Sequence, residues 1–520
     1  MKEIRILGLR SLQDAKSIRL APITVLLGEN SSGKSTFLRT FPLLRQTVEV
    51  RTSEPLLWYG RLVDFGSFEE SASKFNSEKI IEFEYLLDLD SSFLFSRHHY
   101  YTEEDTKTES CRVRYSVVQG PNDTATTDSP KTASYLKTLT LEICKTQIIA
   151  KFNSVPELCE LSIDGSDFTQ VANATFRVGL SLSLNPTIYT RRDSEVLPSA
   201  NTINSELHSL VKTLVHARTK EESIDDLPMS LRLGTAEQML SALKLQQQQR
   251  GLWKKEVLNW SINSPDFVKL RQLIWASRFE DLSDALAQEM RAEGSSISYI
   301  TPLRAAAERY YRQQGLATNE LDAKGENFAL FLKSLNTRER ESLRKWLSSA
   351  LGVFVESDET RGHISLYLVD EKTRAKVNLA DTGFGYSQLL PIAVQLWLAK
   401  SRKQTTFIYP GIPNKNPLIV IEQPELHLHP RIQAKVADLI SHTISGTNQN
   451  LKSRIVIETH SEALVNRLGK LIATGTIAPD DINIILFHKT SFSEPTTVTT
   501  TTFDTNGFLQ DWPLGFFNSD

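Results

Sequence analysis

Hydrophobic and polar positions alternate through residues 2–8 and again through 16–20, which predicts two half-buried strands. The run Ile23-Thr24-Val25-Leu26-Leu27 is nearly all apolar and predicts a buried strand, with a helix to follow over 35–44. A glycine-punctuated loop is expected over 56–68, and alternation resumes over 80–90. Residues 91–200 are rich in Thr, Ser and short alternating runs, such as 111–118 and 138–143. They predict a continued antiparallel sheet whose loosest loop covers 119–131. From 204 to 293 leucines recur at helical spacing and prolines are scarce, so a helical arm or lid is expected, without the sustained heptads of a long coiled coil. Strands and helices alternate again from about 297. The expected fold class is therefore α/β, in three parts: an N-terminal lobe over 1–203, an inserted helical arm over 204–296 and a C-terminal lobe over 297–520.

The first chemistry lies directly after the buried strand. Gly28-Glu29-Asn30-Ser31-Ser32-Gly33-Lys34-Ser35-Thr36 fits the phosphate-binding P-loop pattern, and the strand–loop–helix setting is the one that pattern requires. Its glycines let backbone N–H groups turn inward onto phosphate oxygens; Lys34 offers a point charge, and the Ser35 hydroxyl suits Mg²⁺. The alternative is a Gly/Ser turn that merely precedes a helix.

Composition narrows the setting. At 520 residues the chain exceeds one ordinary core, and 23% charged with 40% hydrophobic residues is a globular balance. A net charge of −3 carries no global sign of nucleic-acid binding, although a local basic groove is compatible with it. Three widely spaced cysteines, Cys111, Cys144 and Cys159, offer neither a disulfide framework nor zinc spacing, which suits a reducing cytoplasm. The first residues read as a strand rather than a signal peptide, and no apolar run approaches the roughly 18–20 residues of a membrane span.

Three further elements carry matching chemistry. Leu418-Ile419-Val420-Ile421-Glu422-Gln423-Pro424-Glu425 is an apolar strand ending in acids, the shape that aims a carboxylate, here Glu422, at a bound metal ion. Arg454-Ile455-Val456-Ile457-Glu458-Thr459-His460-Ser461 is a second buried strand; its tip histidine, His460, is placed to reach a γ-phosphate or the attacking water. A glycine-rich turn over 378–388 leads into an apolar helix, with Gly385 and Ser387 at its start.

In chain order (P-loop, long insertion, glycine-rich turn with its helix, acid-ended strand, histidine strand) the elements resemble the ABC/SMC-like ATPases. The resemblance implies a mixed sheet with flanking helices and an inserted helical arm, with ATP and Mg²⁺ as cofactors. It also implies a head-to-tail homodimer, or a higher oligomer, with composite sites. Asn30, Ser31, Ser32, Gly33, Lys34, Ser35 and Thr36 would bind ATP in cis, and Gly385, Ser387 and Gln388 in trans. Ser35 and Glu422 would hold the metal, and Glu422, Gln423, Glu425 and His460 would serve hydrolysis. The phrase Pro424-Glu425-Leu426-His427-Leu428-His429-Pro430 is similar to that of the OLD-like and RecF-like ATPases, where it lies at the dimer seam, so His427 and His429 read as seam residues rather than metal ligands. The stretches 20–28, 299–304 and 511–517 resemble the ATPase components of the Septu and retron anti-phage systems. That implies a separate HNH nuclease subunit, in retrons also a reverse transcriptase–RNA complex, and contact with DNA or RNA.

One departure bears on rate. Where such ATPases carry a second acid that polarises the attacking water, this chain has Gln423. An amide orients water but cannot take its proton, and general-base help is worth roughly 10²–10⁴ in rate. Slow turnover, with the ATP-bound state held closed, is expected; Glu425 is the nearest substitute. After His460 the chain has 60 residues, too few for the TOPRIM nuclease domain of OLD proteins, so the nuclease is expected on another polypeptide. The second reading is a RecF- or SMC-like DNA-clamping repair ATPase, using Lys254, Lys255, Arg304, Arg309 and Arg312. A stand-alone signalling NTPase leaves the turn before the apolar helix without a purpose. The equivalent of the glutamine that senses nucleotide in ABC ATPases is either within 64–69 or Gln46.

Overall fold

The strand predicted ahead of the P-loop, Ile23–Gly28, is buried at every position and lies inside a six-stranded sheet. The strand order is Ile297–Ile300, Leu418–Glu422, Arg454–Glu458, Ile23–Gly28, Ile482–His488 and Thr497–Thr501. The first five run parallel and the last is antiparallel. Parallel strands covered on both faces are apolar throughout, which is why these segments read as continuous hydrophobic runs rather than as alternation. The computed structural model describes residues 1–50, 52, 54–94, 108–120, 134–155, 157–179, 184–191, 201–312, 318, 320–401, 415–445 and 453–510. The Asp511–Phe517 stretch and most of the 119–131 loop lie outside them.

The chain divides into two compact units. The one holding the parallel sheet comprises 10–46, 59–64 and 292–520. Helices Phe384–Ser401, Pro430–Ile444 and Glu462–Ala473 supply much of its apolar core, with Leu390, Val394, Trp397, Val436, Ile440 and Leu468 all buried. A smaller antiparallel sheet pairs His363–Asp370 with Val353–Thr360 on one side and with Tyr311–Arg312 and Lys376–Asn378 on the other. The architecture is the α/β class expected, a mixed sheet with flanking helices.

The other unit comprises 1–9, 47–58 and 65–291. Its antiparallel sheet runs in the order Glu3–Leu9, Ile81–Asp90, Thr108–Gln119, Ser134–Ile143, Thr146–Phe152, Leu158–Ile163 and Ser166–Asp167. The region read as helical carries Ile203–Leu214, Glu221–Met229, Ala236–Arg250, Pro265–Ser277 and Phe279–Ser295. Capping boxes at Thr202 and Thr235 fix the starts of the first and third of these. Helix Pro265–Ser277 docks onto the sheet by polar contacts: Arg271 donates to Asp164 at 2.6 Å and to Thr146, and Gln272 donates to the Ile163 carbonyl at 3.0 Å. No helix among the described residues is long and apolar enough to cross a membrane.

One cross-strand cluster makes the sheet pH-sensitive. Glu84, 4% exposed, accepts from Arg112 at 2.9 Å and from Arg114 at 2.5 Å and 2.9 Å. Burial alone would raise its pKa, but the two guanidinium groups outweigh burial and hold the carboxyl below its usual range. A depressed carboxyl adds stability above its unfolded pKa and loses it as pH falls through the folded value. Glu84→Gln is expected to destabilise this unit by about 1–3 kcal/mol at pH 7. The deficit should begin to shrink as pH falls below the ordinary carboxyl value of about 4.3, where the unfolded chain takes up the proton, and should close as pH falls through the lower folded value. Urea melts across this pH range check this.

Candidate functional site

The loop after Ile23–Gly28 is shaped by close approach and by one left-handed glycine. A Cβ on Gly28 would sit 2.4 Å from the Phe487 carbonyl oxygen and 2.8 Å from Ser32 Oγ. Gly33 has φ +97°, and a Cβ there would meet Ser11 Oγ at 2.8 Å. Behind the loop, the Thr496 hydroxyl donates to the Ser32 carbonyl at 2.8 Å and lies 3.0 Å from Ser11 Oγ, within hydrogen-bond distance, so the strap before the last strand braces the P-loop.

The loop opens onto a cleft of about 260 Å³, lined by Arg10, Ser11, Asn30–Thr36, Gln423, Glu458 and His460. This is below the roughly 300–1,000 Å³ of ordinary ligand pockets, a size for phosphates rather than for a whole nucleotide. Lys34 lies at its floor, 3% exposed, and donates to the Gly28 carbonyl at 2.9 Å and the Glu29 carbonyl at 2.6 Å. Burial lowers its pKa, against the opposing pull of Glu458, Glu425 and Glu29. The Ser32 hydroxyl is buried in the cradle with no hydrogen-bond partner. A buried ammonium and an orphaned hydroxyl at the bottom of a small cleft fit an anionic group such as a polyphosphate.

Two acids end adjacent parallel strands at the same level: Glu422 pairs in register with Glu458. They have different partners. Glu422, 2% exposed, accepts from Arg39 at 3.0 Å and 2.6 Å and from the Tyr299 hydroxyl at 2.6 Å. Burial works against the Arg39 charge, but the bidentate pairing outweighs it and raises the Arg39 pKa; the Tyr299 hydroxyl is pushed up first by burial and then by Glu422. Glu458, 1% exposed, accepts from the Ser35 hydroxyl at 2.8 Å through Oε1, while its Oε2 is buried without a hydrogen-bond partner. Burial, reinforced by the Glu422 charge, pushes the Glu458 carboxyl up to about 7. The oxygen donors Ser35, Glu422 and Glu458 are the hard-ligand chemistry that suits Mg²⁺.

The predicted residues therefore separate. Asn30, Ser31, Ser32, Gly33, Lys34, Ser35, Thr36, Gln423 and His460 share the cleft. Gln423 has φ +43°, a left-handed conformation rare for a residue with a side chain, and its N–H donates to the Glu458 carbonyl at 2.9 Å. The His460 pKa is lowered by burial and by Lys34, which keeps the ring neutral at pH 7. Glu422 and Glu425 are not among the cleft-lining residues. Glu425 holds the turn after the histidine strand instead, accepting from the Thr459 hydroxyl at 2.8 Å and the His460 N–H at 2.7 Å. Its pKa is raised, chiefly by burial.

Gly385, Ser387 and Gln388 sit at the start of helix Phe384–Ser401 and also lie off the cleft. The Ser387 hydroxyl donates to the Phe384 carbonyl at 2.8 Å, and the Gln388 amide is engaged by the backbone of Arg304. Of the two glutamine-sensor candidates, Gln46 is engaged by the 59–64 loop, accepting from the Leu62 and Val63 N–H groups at 3.1 Å each. His429 caps helix Pro430–Ile444, and His427 lies beside Phe384, ring centres 6.0 Å apart.

Sequence reasoning missed Arg10, Ser11 and Glu458 as lining residues and read Arg304 as a surface charge. Arg304 is 6% exposed. It donates to the carbonyls of Gln388 at 3.0 Å, Pro302 at 3.0 Å and Gln423 at 2.9 Å. Burial lowers its pKa to about 10, which still leaves it charged at neutral pH. It ties the start of the apolar helix to the turn that carries Gln423. Arg304→Ala would leave those carbonyls unpaired and should cost about 1–3 kcal/mol. Arg304→Lys keeps the charge without the planar fork and should recover only part of it. Denaturant midpoints of both variants test this.

A family model described as "AAA domain, putative AbiEii toxin, Type IV TA system" matches residues 23–466. The chain belongs to this family. The match spans the cleft from the P-loop strand to the histidine strand, leaving out only Arg10 and Ser11 of its lining, so this family member is a P-loop ATPase related to defence-type toxins. No curated protein matches the chain. Among solved structures it is similar to three SMC heads. The first, bound to the C-winged helix domain of ScpA, is 10% identical, with 96% of this chain and 97% of that chain covered and a TM-score of 0.33. The second, from Pyrococcus furiosus, has an extended coiled coil and the C-terminal domain of ScpA bound; it is 10% identical over 96% and 95%, TM-score 0.32. The third, from Thermotoga maritima, is 9% identical over 96% and 97%, TM-score 0.32.

Proposed function

We propose that this chain is a slowly hydrolysing ATPase that acts as a homodimer and controls a separate HNH-type nuclease in bacterial anti-phage defence. The observation that carries the ATPase part is the cleft itself, where Lys34, Ser35, Gln423, Glu458 and His460 converge on one small space. Lys34 would exchange its bonds to the Gly28 and Glu29 carbonyls for phosphate oxygens. Ser35 and one strand-end acid would hold Mg²⁺, which would offset negative charge on the phosphates. The neutral His460 ring presents a hydrogen bond, not a charge, to the far end of the polyphosphate. Gln423 can orient a water through its amide but cannot accept the proton, and this supports slow turnover.

The homodimer part is supported by the other predicted motif. Gly385 has open space around it, and Phe384 beside it is 62% exposed, yet neither lines this chain's own cleft. A glycine-rich helix start facing outward suits completion of another copy's site. The nuclease-control part draws on the toxin-related family description and on the resemblance of the stretches 20–28, 299–304 and 511–517 to the ATPase components of the Septu and retron systems. Purification of the chain with the products of its neighbouring genes, followed by native mass spectrometry with and without ATP, tests it. The expected result is a dimer that carries an HNH subunit and changes composition on ATP addition. Salt-sensitive binding to double-stranded DNA without any partner would instead favour the DNA-clamp alternative.

A further inference from the structure

We propose that Glu458 is a metal ligand of this site: with the Ser35 hydroxyl it forms the oxygen pair that receives the divalent cation accompanying ATP. This rests on the ATPase reading above and assigns to the histidine strand a role that the sequence pattern gives to Glu422 on the neighbouring strand.

The two acids stand side by side, and the structure distinguishes them by their partners. Both oxygens of Glu422 are engaged: Arg39 Nη2 donates to Oε1 at 2.6 Å, while Arg39 Nε at 3.0 Å and the Tyr299 hydroxyl at 2.6 Å donate to Oε2. A bidentate guanidinium already neutralises this carboxylate and fixes its plane. Three of its roughly four acceptor positions are taken, and a cation there would compete with Arg39 for the same charge. Glu458 is in the opposite condition. Its Oε1 accepts one hydrogen bond, from Ser35 at 2.8 Å, and its Oε2 is buried with none. It also lines the cleft that holds Lys34 and Ser35, which Glu422 does not. Lys34, the nearest cation at the floor, directs its ammonium to backbone carbonyls. A buried carboxylate oxygen with no donor is costly unless something else satisfies it. Mg²⁺ takes hard oxygen ligands and is commonly held by one or two carboxylates together with substrate phosphates, not by an all-protein cage. A serine hydroxyl at the P-loop helix start next to one free carboxylate is such a partial set. Arg39 then has a defined part: by pairing with Glu422 it lets two acids end neighbouring strands while only one faces the cleft.

The test is a binding measurement with the fluorescent analogue TNP-ATP on the full chain, in EDTA and in Mn²⁺, for wild type, Glu458→Gln and Glu422→Gln. Glu458→Gln is isosteric and can keep the Ser35 contact; its thermal melt is recorded alongside. Wild type is expected to bind TNP-ATP in EDTA and to bind it more tightly in Mn²⁺. Glu458→Gln should bind in EDTA at least as tightly as wild type, because it removes a negative charge beside the phosphates, and should lose at least about tenfold of the Mn²⁺ enhancement, a typical loss when a metal site is perturbed. Retention of the full enhancement by Glu458→Gln overturns the assignment, and its loss in Glu422→Gln alone would return the role to Glu422. If wild type binds no TNP-ATP that ATP can displace, in either medium, the ATPase reading itself fails. Should Glu422→Gln not fold, Glu458→Gln alone decides.

Discussion

Lys34→Ala is expected to lower ATP hydrolysis by at least about 10²–10³-fold, the loss typical when one preorganised donor to transition-state charge is removed. The same variant should lose the ATP-induced rise in melting temperature, because Lys34 is the cation at the floor of the cleft. Its effect on the nucleotide-free protein should be small by comparison. Burial already disfavours the charged ammonium, as its lowered pKa records, so the fold gains part of that desolvation back when the side chain goes. What it loses is the pair of bonds to the Gly28 and Glu29 carbonyls. Of these, the Glu29 carbonyl lies on the exposed loop, where water can replace the ammonium, while Gly28 is buried at the strand end. A phosphate-release assay and paired thermal melts, with and without Mg-ATP, separate the two effects. An unchanged rate would remove this cleft from the chemistry.

The legible parts of this molecule were those governed by strong local rules. The P-loop strand, the two acid-ended strands and the helix starting at Phe384 are buried, so their sequences are apolar runs that need no knowledge of the partner strand. Glu458 was not legible because its significance depends on register. Ile419-Val420-Ile421-Glu422 and Ile455-Val456-Ile457-Glu458 are the same four residues, and parallel pairing sets them level, acid beside acid. The repeat of these four residues is the signal the sequence carries for it. Arg304 was misread for a related reason. A charge among Ala, Glu and Arg residues looks like a solvated face, and only tertiary packing reveals the buried carbonyls that it serves. Arg10 and Ser11 carry no motif and are brought to the cleft by the fold alone.

Gln423→Glu is expected to speed turnover by about 10²–10⁴-fold, the usual worth of general-base assistance. The position is already built to hold the group. Gln423 lines the cleft, its N–H is fixed by the Glu458 carbonyl at 2.9 Å, and its carbonyl is fixed by Arg304 at 2.9 Å. Its left-handed φ of +43° is maintained by those contacts, and an isosteric exchange does not disturb them. A carboxylate there could take the proton that the amide cannot. It would also be a third acid at the end of this sheet, next to Glu458 and the Arg39-paired Glu422. The variant should therefore melt lower than wild type without ligand, and Mg-ATP should narrow the gap, because an added cation offsets the crowded charge. Single-turnover hydrolysis gives the rate, and native mass spectrometry gives the lifetime of the ATP-bound assembly, expected to shorten in proportion. A rate that stays at the wild-type value would place water activation elsewhere. Glu425 is poorly placed to supply it while its two oxygens hold Thr459 and the His460 N–H. Wild-type turnover as fast as that of ordinary ABC ATPases would show instead that Gln423 does not limit hydrolysis, and the slow, closed state would lose its physical basis.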